Sequence, residues 1–347
     1  MKNIGYRLLK IWIKSGLYLY YGKIKVIGLE HLPKDRPVLF LPNHQSALMD
    51  VLLIVVDCNR KPFFLTRSDI FTKPLLKKFF AYLRMIPIYR IRDGREALKN
   101  NQAVFDTCAD LFRKNHAIVM FPEANHNIKR RVRPLSKGFT RILFNAIEKN
   151  QEQDIHMVPV GLNYLKNDGF PDKVTIIYGQ SISAKLHYDS KNVPSSVNHI
   201  KKTVSDSLKT LTTHIEDEKN YESIVARLNG NKVDYLNPQE TNRHIGLLDS
   251  ADSSETKRSP ENILNKIFKL FFVLLNFPIV LLWRKWARPK VWEPEFMATL
   301  RFGFALITYP IYYSILFGGI ALIGNPSIAL ISIFGLFLFN WAYVRWN

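Results

Sequence analysis

The residues best placed to do chemistry stand where a strand-like apolar run ends. Val38 to Leu41 leads into Pro42, Asn43, His44, Gln45, Ser46, Ala47, Leu48, Met49 and Asp50. A histidine can take up and release a proton near neutral pH, and a carboxylate beside it orients the ring, so the pair makes a general base. Ser46 suits the N-cap of a helix over Leu48 to Val56, leaving His44 in the preceding loop and Asp50 in the first turn or so. Six residues turn a regular helix through about 240°, so the two could not meet on one helical face. A loop histidine folded back over the helix N-terminus can reach that carboxylate. A structural histidine satisfied by a neighbouring acid is the competing reading.

The elements around this pair alternate. Strands are expected at 25–29, 38–41, 63–65, 86–89, 117–121, 156–162 and 174–178, and helices at 48–56, 74–82, 96–113 and 138–148. Strand after helix after strand is the pattern of an α/β domain with a mainly parallel central sheet flanked by helices, whose sites gather at the carboxyl ends of the strands. A helical segment over roughly 195–227 should follow. From about 229 to 260 the chain is rich in Asn, Ser, Asp and Glu without an apolar period, which reads as a polar linker.

Five short blocks follow one another in order: Asn43-His44 with Asp50, Ile86-Pro87-Ile88-Tyr89-Arg90, Phe121-Pro122-Glu123, Lys137-Gly138, and Val158-Pro159-Val160. In order and separation this set resembles the glycerolipid acyltransferases, which transfer fatty acyl chains to glycerol phosphate and lysophosphatidate. The resemblance covers roughly residues 25 to 180 and implies His44 and Asp50 as the catalytic pair. It further implies that Asn43, Arg90, the Glu123 block with Asn125 and His126, and Lys137-Gly138 surround the acceptor. Two departures stand out. Five residues separate His44 from Asp50 where the commoner pattern has four, a longer spacing similar to that of a subgroup of glycerol-phosphate and related acyltransferases. Ala124 replaces a glycine and His126 an arginine, and the run Lys129, Arg130, Arg131 and Arg133 could supply the missing cations.

Acyl transfer from a thioester to an alcohol requires a base for the hydroxyl proton, a stabiliser of the tetrahedral oxyanion, and anchors for anionic substrates. His44 is assigned as base and Asp50 as its orienter. Arg90 offers a donor fork matched to phosphate, whereas Glu123 would grip an acceptor hydroxyl or fix a neighbouring cation. No Ser or Cys stands in a base-paired motif, which favours direct attack by the acceptor over an acyl-enzyme. No metal-ligand cluster and no cofactor motif are visible, so the expected co-substrate is acyl-coenzyme A or an acyl carrier protein thioester. Cys58 and Cys108 lie inside apolar stretches and read as buried thiols.

The chain of 347 residues carries 49 Lys and Arg against 29 Asp and Glu, a formal charge of +20. Residues 1–150 hold 28 of the basic residues and 11 of the acidic ones, so the positive field belongs to the first half. Such a field is neutralised by an anionic partner or tolerated as self-repulsion. Nucleic acid is disfavoured, because no finger, helix-turn-helix or aromatic-interleaved basic strand is present. An anionic leaflet and the phosphates of coenzyme A, or the acidic face of a carrier protein, remain.

The grease sits at the other end. Residues 302–323 and 327–344 are uncharged runs of 22 and 18 residues, each able to cross a hydrocarbon core of about 30 Å as a helix. Only Gly324, Asn325 and Pro326 link them, so they should form an antiparallel hairpin. A third run, 270–283, has 14 residues, contains Pro278, and lies between Lys266 and Lys269 on one side and Arg284, Lys285 and Arg288 on the other. It is too short to cross, and it reads as a re-entrant or interfacial helical pair. At the start, Tyr6, Leu8, Leu9, Trp12, Ile13, Leu17 and Tyr20 alternate with Lys2, Arg7, Lys10 and Lys14, giving an amphipathic interfacial helix over 1–24. The expected whole is therefore an acyltransferase-like α/β domain over 25–227, a linker over 228–262 and a membrane domain over 263–347. Its catalytic part would face the cytoplasm. The expected partners are a lysophospholipid or glycerol 3-phosphate, with another lysolipid such as an aminolipid, or a non-catalytic basic membrane adaptor, as alternatives.

Overall fold

The computed structural model describes residues 2–90, 93–248 and 263–346. The strands are β1 (Tyr21–Ile27), β2 (Val38–Pro42), β3 (Phe63–Arg67), β4 (Met85–Ile88), β5 (Ala117–Val119), β6 (His156–Tyr164), β7 (Asp172–Tyr178) and β8 (Ile182–Ser183). The helices of the first two thirds are α1 (Lys2–Tyr20), α2 (Ala47–Asp57), α3 (Pro74–Tyr82), α4 (Arg95–Lys99), α5 (Asn101–Arg113), α6 (Gly138–Lys149), α7 (Val193–Leu211), α8 (Tyr221–Gly230) and α9 (Pro238–Leu248). The remainder is α10 (Ile263–Leu275), α11 (Phe277–Leu282), α12 (Met297–Ile323) and α13 (Pro326–Trp346).

The strands form one sheet in the order β1-β7-β6-β2-β5-β3-β4, with β8 beside β6. From β6 to β4 every pairing is parallel, while β7 and β8 run antiparallel to β6. Both faces are covered, so the central strands are apolar on both sides. On β2, Leu39 and Leu41 point into a layer with Cys108 and Phe112 of α5, Phe139 and Leu143 of α6, and Val204 of α7. Val38 and Phe40 point the other way, against Leu17 of α1, Met49 and Leu53 of α2, and Ala298 and Phe302 of α12. The α/β architecture expected from the alternating pattern is thus the one found, and β2 lies at its centre.

Two expectations change. The single helical segment over 195–227 is two helices, α7 and α8. Between them the polar stretch around Glu216, Asp217 and Glu218 has no apolar face to bury, and Asp217 accepts the backbone N–H groups of Lys219 and Asn220 in a turn. The stretch read as linker contains α9, which packs Ile245 with Ile224 and Leu228 of α8. Asn242 ties it down further by donating to the carbonyls of Lys209 and Thr212. One apolar contact face with few apolar residues gave α9 no visible period. The rest of the expected linker, 249–262, lies outside the described residues.

Among the described residues two helices are long and apolar enough to cross a membrane, Pro294–Ile323 and Pro326–Trp346, and Pro310 lies within the first. Ile263–Leu275 and Phe277–Lys290 form a pair bent by 91°, the geometry expected of a re-entrant or interfacial segment, though it begins earlier than the apolar run. At the bend Asn276 donates to the Phe272 carbonyl and exchanges hydrogen bonds of 2.7 and 2.9 Å with Asn340 of α13. Asn340 also donates to the Tyr313 hydroxyl of α12. In apolar surroundings an interrupted helix needs such partners, and the amide pair staples the bend to the hairpin.

Candidate active site

The loop after β2 is shaped by side chains that complete its backbone hydrogen bonds. Asn43 is buried; its amide donates to the Leu162 carbonyl of β6 at 3.1 Å and accepts the Leu162 N–H at 2.7 Å. Both ends of the side chain are thereby spent on holding β2 to β6. The expectation that Asn43 binds substrate gives way to a bracing role for that reason.

His44 then meets Asp50 as the loop reading requires: Nδ1 lies 2.8 Å from Asp50 Oδ2. Ala47 adopts φ +41°, in the left-handed region, and this tight turn brings the N–H groups of Gln45 and Ser46 onto the same oxygen at 2.9 and 2.8 Å. The Tyr164 hydroxyl of β6 donates to Oδ1 at 2.5 Å. Asp50 is fully buried, and each of these protein partners supplies a donor, a set that an ionised carboxylate accepts. Nδ1 of His44 therefore carries the proton toward Asp50, and Nε2 keeps a lone pair. The ring stacks on Phe121 at 3.9 Å between centroids and remains 15% exposed, so Nε2 can be reached from outside. Ser46 makes no side-chain cap; Asp50 supplies that function from within the helix.

The loop after β5 carries the second group of expected residues. Arg133 holds Glu123 Oε2 through Nε at 2.9 Å and through its terminal nitrogen at 2.8 Å. Oε1 of Glu123 is buried without a partner among the described residues. Burial pushes this carboxyl up to about 7, against the pull of Arg133, and the nearby Asp50 charge adds to the rise. Ala124, where the family pattern has glycine, sits at φ +65°. The Asn125 carbonyl accepts from Arg133. His126 turns its ring edge toward His44, 5.6 Å between centroids, and its Nε2 lies 2.7 Å from Glu293 just before α12. Gly138 starts α6 close to the loop, where a Cβ would come within 2.9 Å of Met120 Cε; Lys137 beside it is exposed.

Three expected phosphate ligands are otherwise engaged. Arg130 donates to the carbonyls of Tyr164 and Leu165 and lies 3.6 Å over the Tyr235 ring, a half-buried staple between this loop and the segment preceding α9. Arg131 pairs with Glu218 at 2.5 Å. Arg90 lies at the end of β4, the edge strand, bound to Asp69 and Asp93 at 3.2 and 3.3 Å. With strands spaced about 4.8 Å apart, three spacings put it roughly 14 Å across the sheet from β2. The structure brings His44, Asp50, Glu123, His126 and Arg133 together and leaves Arg90, Arg130 and Arg131 in other roles.

Sequence reasoning missed Tyr164 and the segment before α12. Besides Glu293, Glu295 accepts the Ile128 N–H at 3.2 Å, Phe296 packs edge-on to His126 at 5.0 Å, and Thr299 reaches the Ser46 carbonyl at 3.5 Å. His126, Glu293 and Glu295 place donor atoms within 4.8 Å of one another, and they are the residues that could hold a divalent ion.

A buried acid, an outward-facing imidazole and a cation-held glutamate at the carboxyl ends of a mostly parallel sheet define an α/β domain equipped for acid–base transfer. Residues 23–163, which hold most of this α/β unit, match the Acyltransferase family model. A chloroplastic 1-acyl-sn-glycerol-3-phosphate acyltransferase of Brassica napus is 29% identical over 132 residues, 37% of this chain and 36% of its own length. One from Chlamydomonas reinhardtii is 25% identical over 186 residues, 52% of each. Among solved structures, the 1-acyl-sn-glycerophosphate acyltransferase PlsC of Thermotoga maritima is 19% identical, with a TM-score of 0.39, covering 58% of this chain and 78% of that one. The match with these two curated relatives thus spans about a third to a half of their length.

Proposed function

We propose that this protein is a membrane-bound acyltransferase that moves a fatty acyl chain from a thioester to the hydroxyl of a phosphate-bearing glycerolipid precursor. Lysophosphatidate is the leading acceptor, because the relatives above carry that activity in their names. Glycerol 3-phosphate and other lysolipids present the same hydroxyl. The donor is acyl-coenzyme A or acyl carrier protein.

One observation carries the reading: His44 holds its Nδ1–H on a buried, four-fold donated Asp50 and turns Nε2 outward. In the proposed step Nε2 takes the proton of the acceptor hydroxyl while its oxygen attacks the thioester carbonyl. Collapse of the tetrahedral intermediate breaks the C–S bond, and the proton on Nε2 passes to the departing thiolate. Asp50 keeps the tautomer and stabilises the imidazolium in between. Glu123, near half protonation at neutral pH, would donate through its free Oε1 to an acceptor oxygen, and Arg133, 23% exposed, lies beside it as a phosphate contact. His44→Ala should lower acyl transfer by a factor of about 10² to 10⁴, the usual contribution of a positioned base. Purified protein assayed with a labelled acyl thioester and a panel of acceptors measures this, and retained activity removes His44 from the mechanism.

The two apolar helices and the basic first half support an orientation with the catalytic domain on the cytoplasmic leaflet, where basic residues are drawn to anionic headgroups.

A further inference from the structure

A large chamber lies away from His44. It has a volume of about 690 Å³ and lies among α1, the bent α10–α11 pair, α12 and α13. Its walls are apolar, with Trp12, Phe272, Val280, Ala305, Tyr309 and Tyr343 from all five helices. That volume is within the range of specific small-molecule sites, about 300–1,000 Å³. Gly16 permits the close approach of α12 that closes one side, since a Cβ there would meet Leu306 at 2.5 Å.

The polar part of the lining is one-sided in charge. Lys269, Arg284, Arg288 and Arg301 border the chamber, and no acidic residue does. Arg301 is occupied by the carbonyls of Asp168 and Gly169 at 3.0 and 2.7 Å. Lys269, Arg284 and Arg288 have no carboxylate partner among the described residues. Lys269 stands midway along the first arm of the bent pair and Arg284 and Arg288 near the end of the second, so cations border the apolar segment around the bend. Cations in that setting are favourable only with an anion or with water at their heads, and a bilayer offers the anion as a headgroup phosphate. We propose that this chamber is a binding site for one anionic membrane phospholipid: an acyl chain fills the apolar space among the five helices, and the phosphate rests on Lys269, Arg284 and Arg288.

The chamber is joined to the catalytic domain by α12. Thr299 touches the Ser46 carbonyl, Phe302 lines the chamber and packs on Tyr20 at 5.6 Å, and Tyr309 lines it seven residues later. The span from Thr299 to Tyr309 is about 15 Å of helix. No residue of the His44 group lines the chamber, so the lipid held there is a neighbour of the reaction and not its acceptor. This inference rests on the membrane placement proposed above and not on acyl transfer.

The test uses the full chain purified in neutral detergent, offered an equimolar mixture of phosphatidylglycerol and phosphatidylcholine of the same acyl composition, with retained lipid read by native mass spectrometry. Wild type should keep phosphatidylglycerol at least tenfold over phosphatidylcholine. Arg284→Gln with Arg288→Gln should abolish the preference, and Ala305→Trp or Val280→Phe, which fill the chamber, should lose both lipids at an unchanged melting midpoint. His44→Ala should bind as wild type does, which separates this site from the catalytic reading. Absence of a preference in wild type, its persistence in the arginine double variant, or full retention in a folded chamber-filling variant each overturns the proposal.

Discussion

Tyr164 makes the sharpest prediction at the scale of single residues. Its hydroxyl is buried against Asp50, and burial with the adjacent carboxylate pushes the phenol well above its ordinary range, so it stays a donor at any working pH. Tyr164→Phe removes one of the donors that share the Asp50 charge. The His44 ring is then held less firmly, and acyl transfer should drop several-fold at an unchanged melting midpoint. A loss of activity matched by an equal loss of stability would assign Tyr164 to packing alone. Glu123 has the opposite logic. Its carboxyl titrates at about 7 in the folded protein and near 4.5 when free, so the native state binds the proton that the unfolded state has already released. Stability from this group is complete below about pH 4.5 and falls as pH rises toward 7, by an order of a few kcal/mol. The difference in melting midpoint between wild type and Glu123→Gln should therefore change across pH 5 to 7, wild type losing ground as pH rises, and a difference that stays constant would contradict the shift.

Residue roles were legible where the partners are near in sequence. His44 and Asp50 stand six positions apart, and the contact could be argued from a turn before a helix. Tyr164 is 114 residues away from Asp50, and Glu293 is 167 from His126; no local pattern announces either. Arg90 is a different case, since its terminal nitrogen is paired while its buried Nε has no partner among the described residues. A guanidinium fork suits phosphate, but Asp69 and Asp93 suit the fork equally well and are already there.

At the scale of elements, alternation of apolar strands and helices located the sheet because both faces of β2 and β6 are buried. Strand ends were less visible, since β6 runs on to Tyr164 through Asn163, a polar residue whose amide binds the Leu211 carbonyl. Antiparallel β7 and the short β8 were invisible as directions, because a strand's orientation is not written in its own period. Asn43 couples the loop to this frame. Asn43→Ala would strand the buried N–H and C=O of Leu162, and the cost should be about 2–6 kcal/mol in a denaturant melt, at about 1–3 for each buried group left unpaired. Ala124 belongs to the same scale. Glycine suits φ +65° better than alanine does, so Ala124→Gly should be neutral or stabilising by up to about 1 kcal/mol, where the same change in a helix would destabilise.

At the scale of the whole molecule, charge and grease divide the chain between a basic first half and an apolar end, and sequence alone placed both. It could not place them against each other. Contact runs through the segment before α12, where Glu293 and Glu295 hold the His126 loop. It also runs through α1, whose outer face leaves Ile4, Leu8, Ile11 and Trp12 exposed while Leu17 is buried under the sheet. Tyr6 of α1 lies 6.3 Å from Tyr82 of α3, a helix that itself exposes Leu75 and Phe79. These apolar side chains would lie in the headgroup layer beside the hairpin. A cysteine placed at Gly324 should label only from the side opposite the catalytic domain in sealed vesicles; labelling from the same side would refute the hairpin orientation.

The first turns of α12 are shared property. Ala298 and Phe302 are core residues beneath Met49 and Leu53 of α2, and some twenty residues later the same uninterrupted helix ends among exposed Leu322 and Ile323. A spanning helix tilts when the hydrocarbon layer around it thins, and a tilt here has its fulcrum one helix away from the imidazole. If the acyl transfer proposed above holds, its turnover should accordingly vary with the acyl length of the host bilayer even when donor and acceptor are held fixed, so that the site would gauge the thickness of the sheet around it.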